Sequence, residues 1–151
     1  MSEEVASREE LLAIISQSYE RTEIIEEIEK ILEELLRNNP SIEVAMVATI
    51  EGLPVASYPK TEKIQKEEGI LAAAITVIFS TSERSALDLK QGHVDHVIIY
   101  TDVGYVVLRL TGEDHILAVL TKEDAKLGVI LRDLKLTADK LQKIMSIRAS
   151  S

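Results

Sequence analysis

The chain has 151 residues, of which 46% are hydrophobic, and it carries a formal net charge of −9 at pH 7. This length and composition suit one folded domain with a substantial core, and they exclude wholesale disorder. The acidic balance argues against nucleic acid and against anionic membranes as partners. The sequence has no cysteine, and its acidic N-terminus lacks the apolar run of a signal peptide. We therefore expect a cytoplasmic protein without disulfide or thiol chemistry.

The first forty residues predict a long helical segment with an acidic surface. Ser7 and Glu10 form a candidate capping box, and apolar residues recur at helical spacing from Leu11 to Leu36. We expect the polar interval 20–23 to divide the segment into two helices. Pro40 should end it, because proline disfavours helix at the residue before it. This segment either packs on its own domain or offers a helix to a partner.

A β-hairpin follows the first helical segment. Residues 42–50 and 53–58 alternate as strands do, and Gly52 lies in the tight reversal between them. Pro54 stands near the start of the second strand. Because proline has no N–H to donate to a neighbouring strand, we expect this strand to lie at an edge of the sheet.

The central helix is expected at residues 63–89. Its middle part, residues 69–79, is apolar around the whole circumference, which indicates a helix buried on more than one side. The apolar run 70–79 is too short to span a bilayer, so we expect no direct membrane insertion. Since no other element of the chain is free to cover the outer side of this helix, the simplest candidate is the same helix of a second copy.

Three strands and a helix complete the chain. The strands are expected at residues 93–100, 105–111 and 115–120, and Thr121 with Asp124 is a candidate capping box for the last helix. In the first of these strands we expect Val94, Ile98 and Tyr100 to share one face.

The predicted fold class is an α/β sandwich of the α+β type. Its five-stranded antiparallel sheet has helices on both faces, in the order helix-strand-strand-helix-strand-strand-strand-helix. We expect a helical extension at residues 1–21, the main domain at 22–147 and a short tail at 148–151.

The sequence lacks the motifs of nucleotide-dependent and nucleophilic catalysis. It contains neither a P-loop nor a Gly-x-Gly-x-x-Gly pattern, and no nucleophile has an evident base. His93 and His96 would lie on opposite faces of a strand, which argues against a metal pair. For Arg84, Arg109 and Arg132 we favour structural roles over action on a partner's phosphate. We thus expect no catalytic residue, cofactor or metal, and no enzyme.

The order of elements and several segments resemble the Roadblock/dynein light chain family over residues 24–144. The segments that carry the resemblance are Leu35-Leu36 with Pro40, residues 47–57, Ala72-Ala73-Ala74 with residues 80–84, residues 104–108, residues 116–120, and Leu127-Gly128 with Ala138. Residues 1–21 lie outside the family core. The similarity is strongest to the prokaryotic branch that works with small Ras-like GTPases in cell polarity. It implies a profilin-like Roadblock fold with the first and last helices on one face of the sheet.

Members of this family pair through the central helix and the edge strand that follows it. The resemblance therefore implies a homodimer with an interface at Ile70, Leu71, Ala74, Ile75, Ile78, Val94, His96, Ile98 and Tyr100. It further implies a non-enzymatic adaptor that binds a small Ras-like GTPase and modulates its nucleotide cycle or localisation. A pure assembly scaffold and a small-molecule sensor domain are the alternatives.

Overall fold

The computed structural model describes residues 7–149, and the order of its elements agrees with the prediction. The elements are α1 (Arg8–Asn38), β1 (Ile42–Thr49), β2 (Pro54–Tyr58), α2 (Glu62–Asp88), β3 (His96–Tyr100), β4 (Tyr105–Thr111), β5 (His115–Thr121) and α3 (Leu127–Ala149).

The five strands form one antiparallel sheet in the order β2-β1-β5-β4-β3. The strand that begins with Pro54 lies at one edge, which confirms the expectation drawn from that proline. The other edge is β3, a strand of five residues directly after α2. Within residues 7–149 no strand pairs with its outer side, so those backbone groups can pair with another strand.

Helices cover both faces of the sheet. α1 and α3 contact each other on one face, where Ile28, Leu32, Leu134 and Leu141 pack against the sheet. Among the described elements, α2 is the one helix on the other face, where it contacts β1, β2 and β5. The two helical layers thus enclose two aliphatic half-cores, one on each side of the sheet, as was expected for an α/β sandwich.

α1 is a single helix of 31 residues, so the expected break at residues 20–23 does not occur. The interval is rich in glutamate and arginine, which are good helix formers and can remain solvated on an exposed turn. The predicted capping box is confirmed: the Glu10 N–H donates to Ser7 Oγ over 3.1 Å, and the Ser7 N–H donates to Glu10 Oε2 over 3.2 Å.

Two other boundaries differ from the prediction. β3 begins at His96 and not at residue 93, because the preceding residues bond to a side chain of α2 and not to a neighbouring strand. α3 begins at Leu127, since Thr121 belongs to β5 and accepts a hydrogen bond from the Tyr105 N–H over 3.0 Å. Thr121 therefore ties β5 to the start of β4 and does not cap a helix.

Candidate interaction site

α2 and the free edge strand β3 form the candidate site, and side chains fix how α2 is rotated on the sheet. The Thr76 hydroxyl donates to the carbonyl of Thr49 at the end of β1 over 3.2 Å. The Ser57 hydroxyl in β2 donates to Glu68 of α2 over 3.2 Å. With these two bonds along its length, α2 presents a defined side to the sheet and a defined side to solvent.

The two sides of α2 are both apolar. Ala72, Ile75 and Phe79 face the sheet and are buried. On the outer side Ile70 is 74% exposed and Val77 is 64% exposed. Ala73 and Ala74 lie between these two residues on the same exposed side, at the spacing of three and four that makes one helix face. We call Ile70, Ala73, Ala74 and Val77 the outer stripe.

α2 is also the one helix within residues 7–149 that is long and apolar enough to cross a membrane by length and composition. Packed helices of soluble domains have the same property. In this fold α2 packs along the sheet. Its outer stripe has no partner among the described residues 7–149, and an exposed apolar surface of this kind marks an interface.

The sheet beside α2 is only partly covered. Val97 and Ile99 of β3 lie opposite Leu108 and Val106 of β4, so all four share the face on which α2 lies. Val97, Ile99 and Val106 are only half-buried. A groove of about 580 Å³ opens between the C-terminal half of α2 and the sheet. The apolar surface of α2 therefore continues onto the sheet towards the free edge.

Two carboxylates hold the segment that leads into β3. Glu83 of α2 accepts a hydrogen bond from the Val94 N–H over 2.8 Å and lies against the ring of His93. The Val94 hydrogen bond, and after it the His93 contact, lowers the pKa of Glu83. The Glu83 carboxylate thus stays ionised and fixes the start of the edge strand relative to α2.

Asp95 makes a second set of contacts at the start of β3. Arg109 donates to its two oxygens over 3.0 and 3.3 Å, and the His96 ring lies 2.7 Å from Oδ2. The hydrogen bond with His96, and then the charge of Arg109, lowers the pKa of Asp95. This bidentate pair joins β3 to β4 across the exposed end of the strand.

The structure divides the nine residues predicted for the interface among three settings. Ile70 and Ala74 lie on the outer stripe, whereas Leu71 and Ile78 are half-buried against the sheet and Ile75, at 7% exposure, is in the core. Val94 packs against the same half-core below α2.

The last three predicted residues, His96, Ile98 and Tyr100, lie on the opposite face of the sheet from α2. They pair with Arg109, Val107 and Tyr105, and the rings of Tyr100 and Tyr105 are 4.8 Å apart. Val94 therefore does not share a face with Ile98 and Tyr100 as predicted, because it precedes the strand and alternation does not extend to it. The prediction also omits Ala73 and Val77, although their spacing from Ile70 places them on its face.

The histidines and arginines singled out in the sequence mostly have carboxylate partners. His93 contacts Glu83, and His96 contacts Asp95. Arg109 is engaged with Asp95, while Arg132 pairs with its neighbour Asp133. Within the described part of the chain, no group of three or more His, Asp or Glu side chains is arranged to hold a metal ion.

Comparison with known proteins identifies relatives of this fold. The profile of the Roadblock/LC7 domain matches residues 28–121. A search of curated proteins by sequence finds no significant match.

Three similar solved structures agree in fold at low sequence identity. MglB from Myxococcus xanthus is 16% identical with a TM-score of 0.73, over 81% of this chain and 90% of that one. The Roadblock/LC7 domain from Streptomyces avermitilis is 16% identical with a TM-score of 0.72, over 78% and 97%. The gliding protein MglB from Thermus thermophilus is 20% identical with a TM-score of 0.69, over 80% and 90%.

Proposed function

Because the chain belongs to the Roadblock/LC7 domain family, we propose that it is a homodimeric, non-enzymatic adaptor that binds a small Ras-like GTPase in the cytoplasm. Its role would be to modulate the nucleotide cycle or the localisation of that GTPase. The observation that carries the proposal is the outer stripe of α2 beside the free edge strand β3. Both are surfaces that a second copy of the same chain could cover.

The dimer we propose uses α2 and β3 together. The outer stripe of one copy would pack on that of the other, and the β3 edges would join into one ten-stranded sheet. Burying a large aliphatic side chain contributes about 1.5–3 kcal/mol, so Ile70 and Val77 of both copies can offset a substantial part of the cost of association. We assign Ile70, Ala73, Ala74 and Val77 to this interface in preference to the buried Ile75.

The mechanism we propose acts through the conformation of the partner. The chain has no phosphate-binding loop motif of its own, so the nucleotide chemistry would belong to the GTPase. An adaptor that binds one arrangement of the GTPase switch loops more tightly shifts the partner towards that arrangement. Such binding changes hydrolysis or exchange without a catalytic residue from the adaptor.

Rates of GTP hydrolysis and nucleotide exchange test this mechanism. Each small Ras-like GTPase of the same organism is measured with and without a stoichiometric amount of the chain. We expect the chain to change the hydrolysis rate or the exchange rate of one of these GTPases by about ten-fold, which corresponds to about 1.4 kcal/mol of differential binding. Unchanged rates with every GTPase, despite binding, would leave tethering as the function.

An assembly scaffold is the second candidate, and a specific observation favours it. The N-terminal part of α1 exposes five large apolar side chains, and it precedes the residues matched by the family profile. A scaffold would use this part of α1 to recruit another protein. Deleting residues 1–21 would then abolish partner capture and leave the α2 dimer intact.

A further inference from the structure

The hydrogen bonds beside the turn between β3 and β4 show which backbone groups β3 presents at its free edge. The Thr101 N–H donates to the carbonyl of Gly104 over 2.8 Å, so these two residues form a hydrogen-bonded pair. The next pair is Tyr100 with Tyr105, and the Tyr105 N–H points the other way, towards Thr121 of β5. Tyr100 and Tyr105 are therefore a pair without backbone hydrogen bonds between them.

Alternation extends this assignment along the whole of β3. In an antiparallel pair, hydrogen-bonded and non-hydrogen-bonded residues alternate, so Val97 and Ile99 direct their backbone groups to β4. His96, Ile98 and Tyr100 thus direct their N–H and carbonyl groups to the free edge. This pattern of outward groups is symmetric about Ile98.

The free edge ends at a defined residue on either side. On the N-terminal side, Glu83 of α2 holds the Val94 N–H over 2.8 Å, so this donor is not available to a partner strand. On the C-terminal side, Thr101 directs its N–H to Gly104 across the turn. The segment left for pairing with another strand is His96–Tyr100.

We propose that two copies of this chain pair through β3 in one register, with Ile98 opposite Ile98 of the second copy and the twofold axis between them. The inference rests on the dimer of the proposed function and specifies its contact at the sheet edge. His96 then lies opposite Tyr100 of the second copy, and the paired strands exchange about six hydrogen bonds. A shift by two residues keeps about four, and a shift by one would oppose outward groups with inward ones.

The side chains of β3 agree with this register. On the face that carries α2, Val97 lies opposite Ile99 of the second copy, so two half-buried aliphatic side chains gain an apolar neighbour. On the other face the two Ile98 side chains, each 38% exposed in the single chain, cover one another. The shift that brings Val97 opposite itself would place Asp95, which pairs with Arg109, opposite the aliphatic Ile99.

Disulfide cross-linking of three single-cysteine variants reads the register directly, because the full chain has no cysteine of its own. Opposed residues of a hydrogen-bonded pair have Cα atoms about 5.5 Å apart, within the reach of a disulfide. We expect oxidised I98C to form a covalent dimer in several-fold higher yield than V97C or I99C. At positions 97 and 99 the equivalent residues of the two copies would be about 7–8 Å apart, which is too far. A register shifted by two residues would favour V97C or I99C instead.

Light scattering on the reduced variants separates this inference from the proposed function. If the reduced variants are dimers and I98C gives no more product than V97C or I99C, the register is wrong and the dimer of the proposed function stands. If the unmodified chain is a monomer, the register and that dimer both fail.

Proline at position 98 tests the edge hydrogen bonds. The Ile98 N–H points away from β4, so I98P removes no hydrogen bond of the β3–β4 ladder, and proline is tolerated at such edge positions. I98A is the matched control, because it shortens the same side chain and keeps the N–H. Between these two variants, both checked for native circular dichroism, the dissociation constant of the dimer should be about ten-fold higher for I98P, because the two central hydrogen bonds are lost. Equal dissociation constants would overturn the proposal.

Discussion

Position 104 requires glycine, because the backbone of the neighbouring strand leaves no room for a side chain. A Cβ atom at this position would lie 1.8 Å from the carbonyl oxygen of Thr121. The Thr121 hydroxyl accepts the next N–H of β4, that of Tyr105. The start of β4 therefore packs directly on the end of β5, with no room for a side chain between them.

We predict that G104A destabilises the fold, because backbone must move to admit the methyl group. Overpacking of this kind costs about 1–3 kcal/mol, and contact with backbone places the cost at the upper end. G128A is a matched control, since Gly128 is in α3 with no atom within 4 Å of a Cβ there. Because Gly128 is the second residue of α3 and not in its interior, alanine there should stabilise the helix by at most about 0.5 kcal/mol. Denaturant unfolding measures both variants, and equal free energies of unfolding would refute the steric account of Gly104.

His115 should make the stability of the domain depend on pH. It is half-buried at the start of β5, and burial lowers its pKa, although the nearby Asp114 and Glu51 carboxylates partly oppose this effect. In the unfolded chain the histidine pKa is about 6.5, so His115 binds a proton more readily there than in the folded chain. The stability that depends on a neutral His115 ring is therefore present above that pH. It is lost as the pH falls from there through the lower pKa of the folded state.

Melting temperatures at about pH 7.5 and about pH 5.5 test this expectation. The decline on acidification should be smaller in H115Q than in the unmodified chain, since glutamine does not titrate. The comparison uses the difference between the two pH values, so a constant change in packing cancels. An identical decline in both proteins would assign the pH dependence to other groups.

At the scale of elements, α2 has two apolar sides but only one sheet to pack on. Its inner side supplies Ala72, Ile75 and Phe79 to the core, and its outer stripe remains exposed. The neighbouring half-buried surface of β3 and β4 extends the stripe to a free edge. This combination accounts for the all-round apolar composition that the sequence shows at residues 69–79.

The double variant I70E/V77E should convert the proposed dimer to monomer. Four carboxylates in the paired stripes would have to be desolvated without partners, which we expect to weaken the dimer at least about 100-fold. L136E is the control, because Leu136 is 55% exposed on α3, on the other face of the sheet. Light scattering should report the monomer mass of 16.8 kDa for the first variant and twice that value for the second. A dimer that survives I70E/V77E would place the interface elsewhere.

The fold could be predicted from local patterns more fully than the site could. Periodicity and the positions of Gly52 and Pro54 suffice for the order of elements and for the edge position of β2. The starts of β3 and α3 could not be predicted, because they depend on the Glu83–Val94 and Thr121–Tyr105 hydrogen bonds between distant residues.

The candidate site could be located on α2 but not oriented from the sequence. A helix that is apolar all round carries no signal for which side meets the sheet. Contacts such as Thr76 with Thr49 decide that orientation, and they place Ile75 inside and Val77 outside.

At the scale of the whole molecule, the sheet separates two surfaces with different uses. α2 and β3 form the surface we assign to the homodimer, whereas the packed part of α1 lies on the other face of the sheet and its N-terminal part, residues 8–23, is exposed. A chain with both surfaces could form the α2 dimer and also offer the N-terminal part of α1 to another protein.

Binding to a small Ras-like GTPase tests the central claim most directly. The full chain is titrated calorimetrically with each small Ras-like GTPase of the same organism, loaded with GDP or with a non-hydrolysable GTP analogue. We predict that one GTPase binds and that its affinity differs at least about ten-fold between the two nucleotide states, since a regulator must distinguish the switch conformations. Absence of binding to every GTPase in both states would contradict the account.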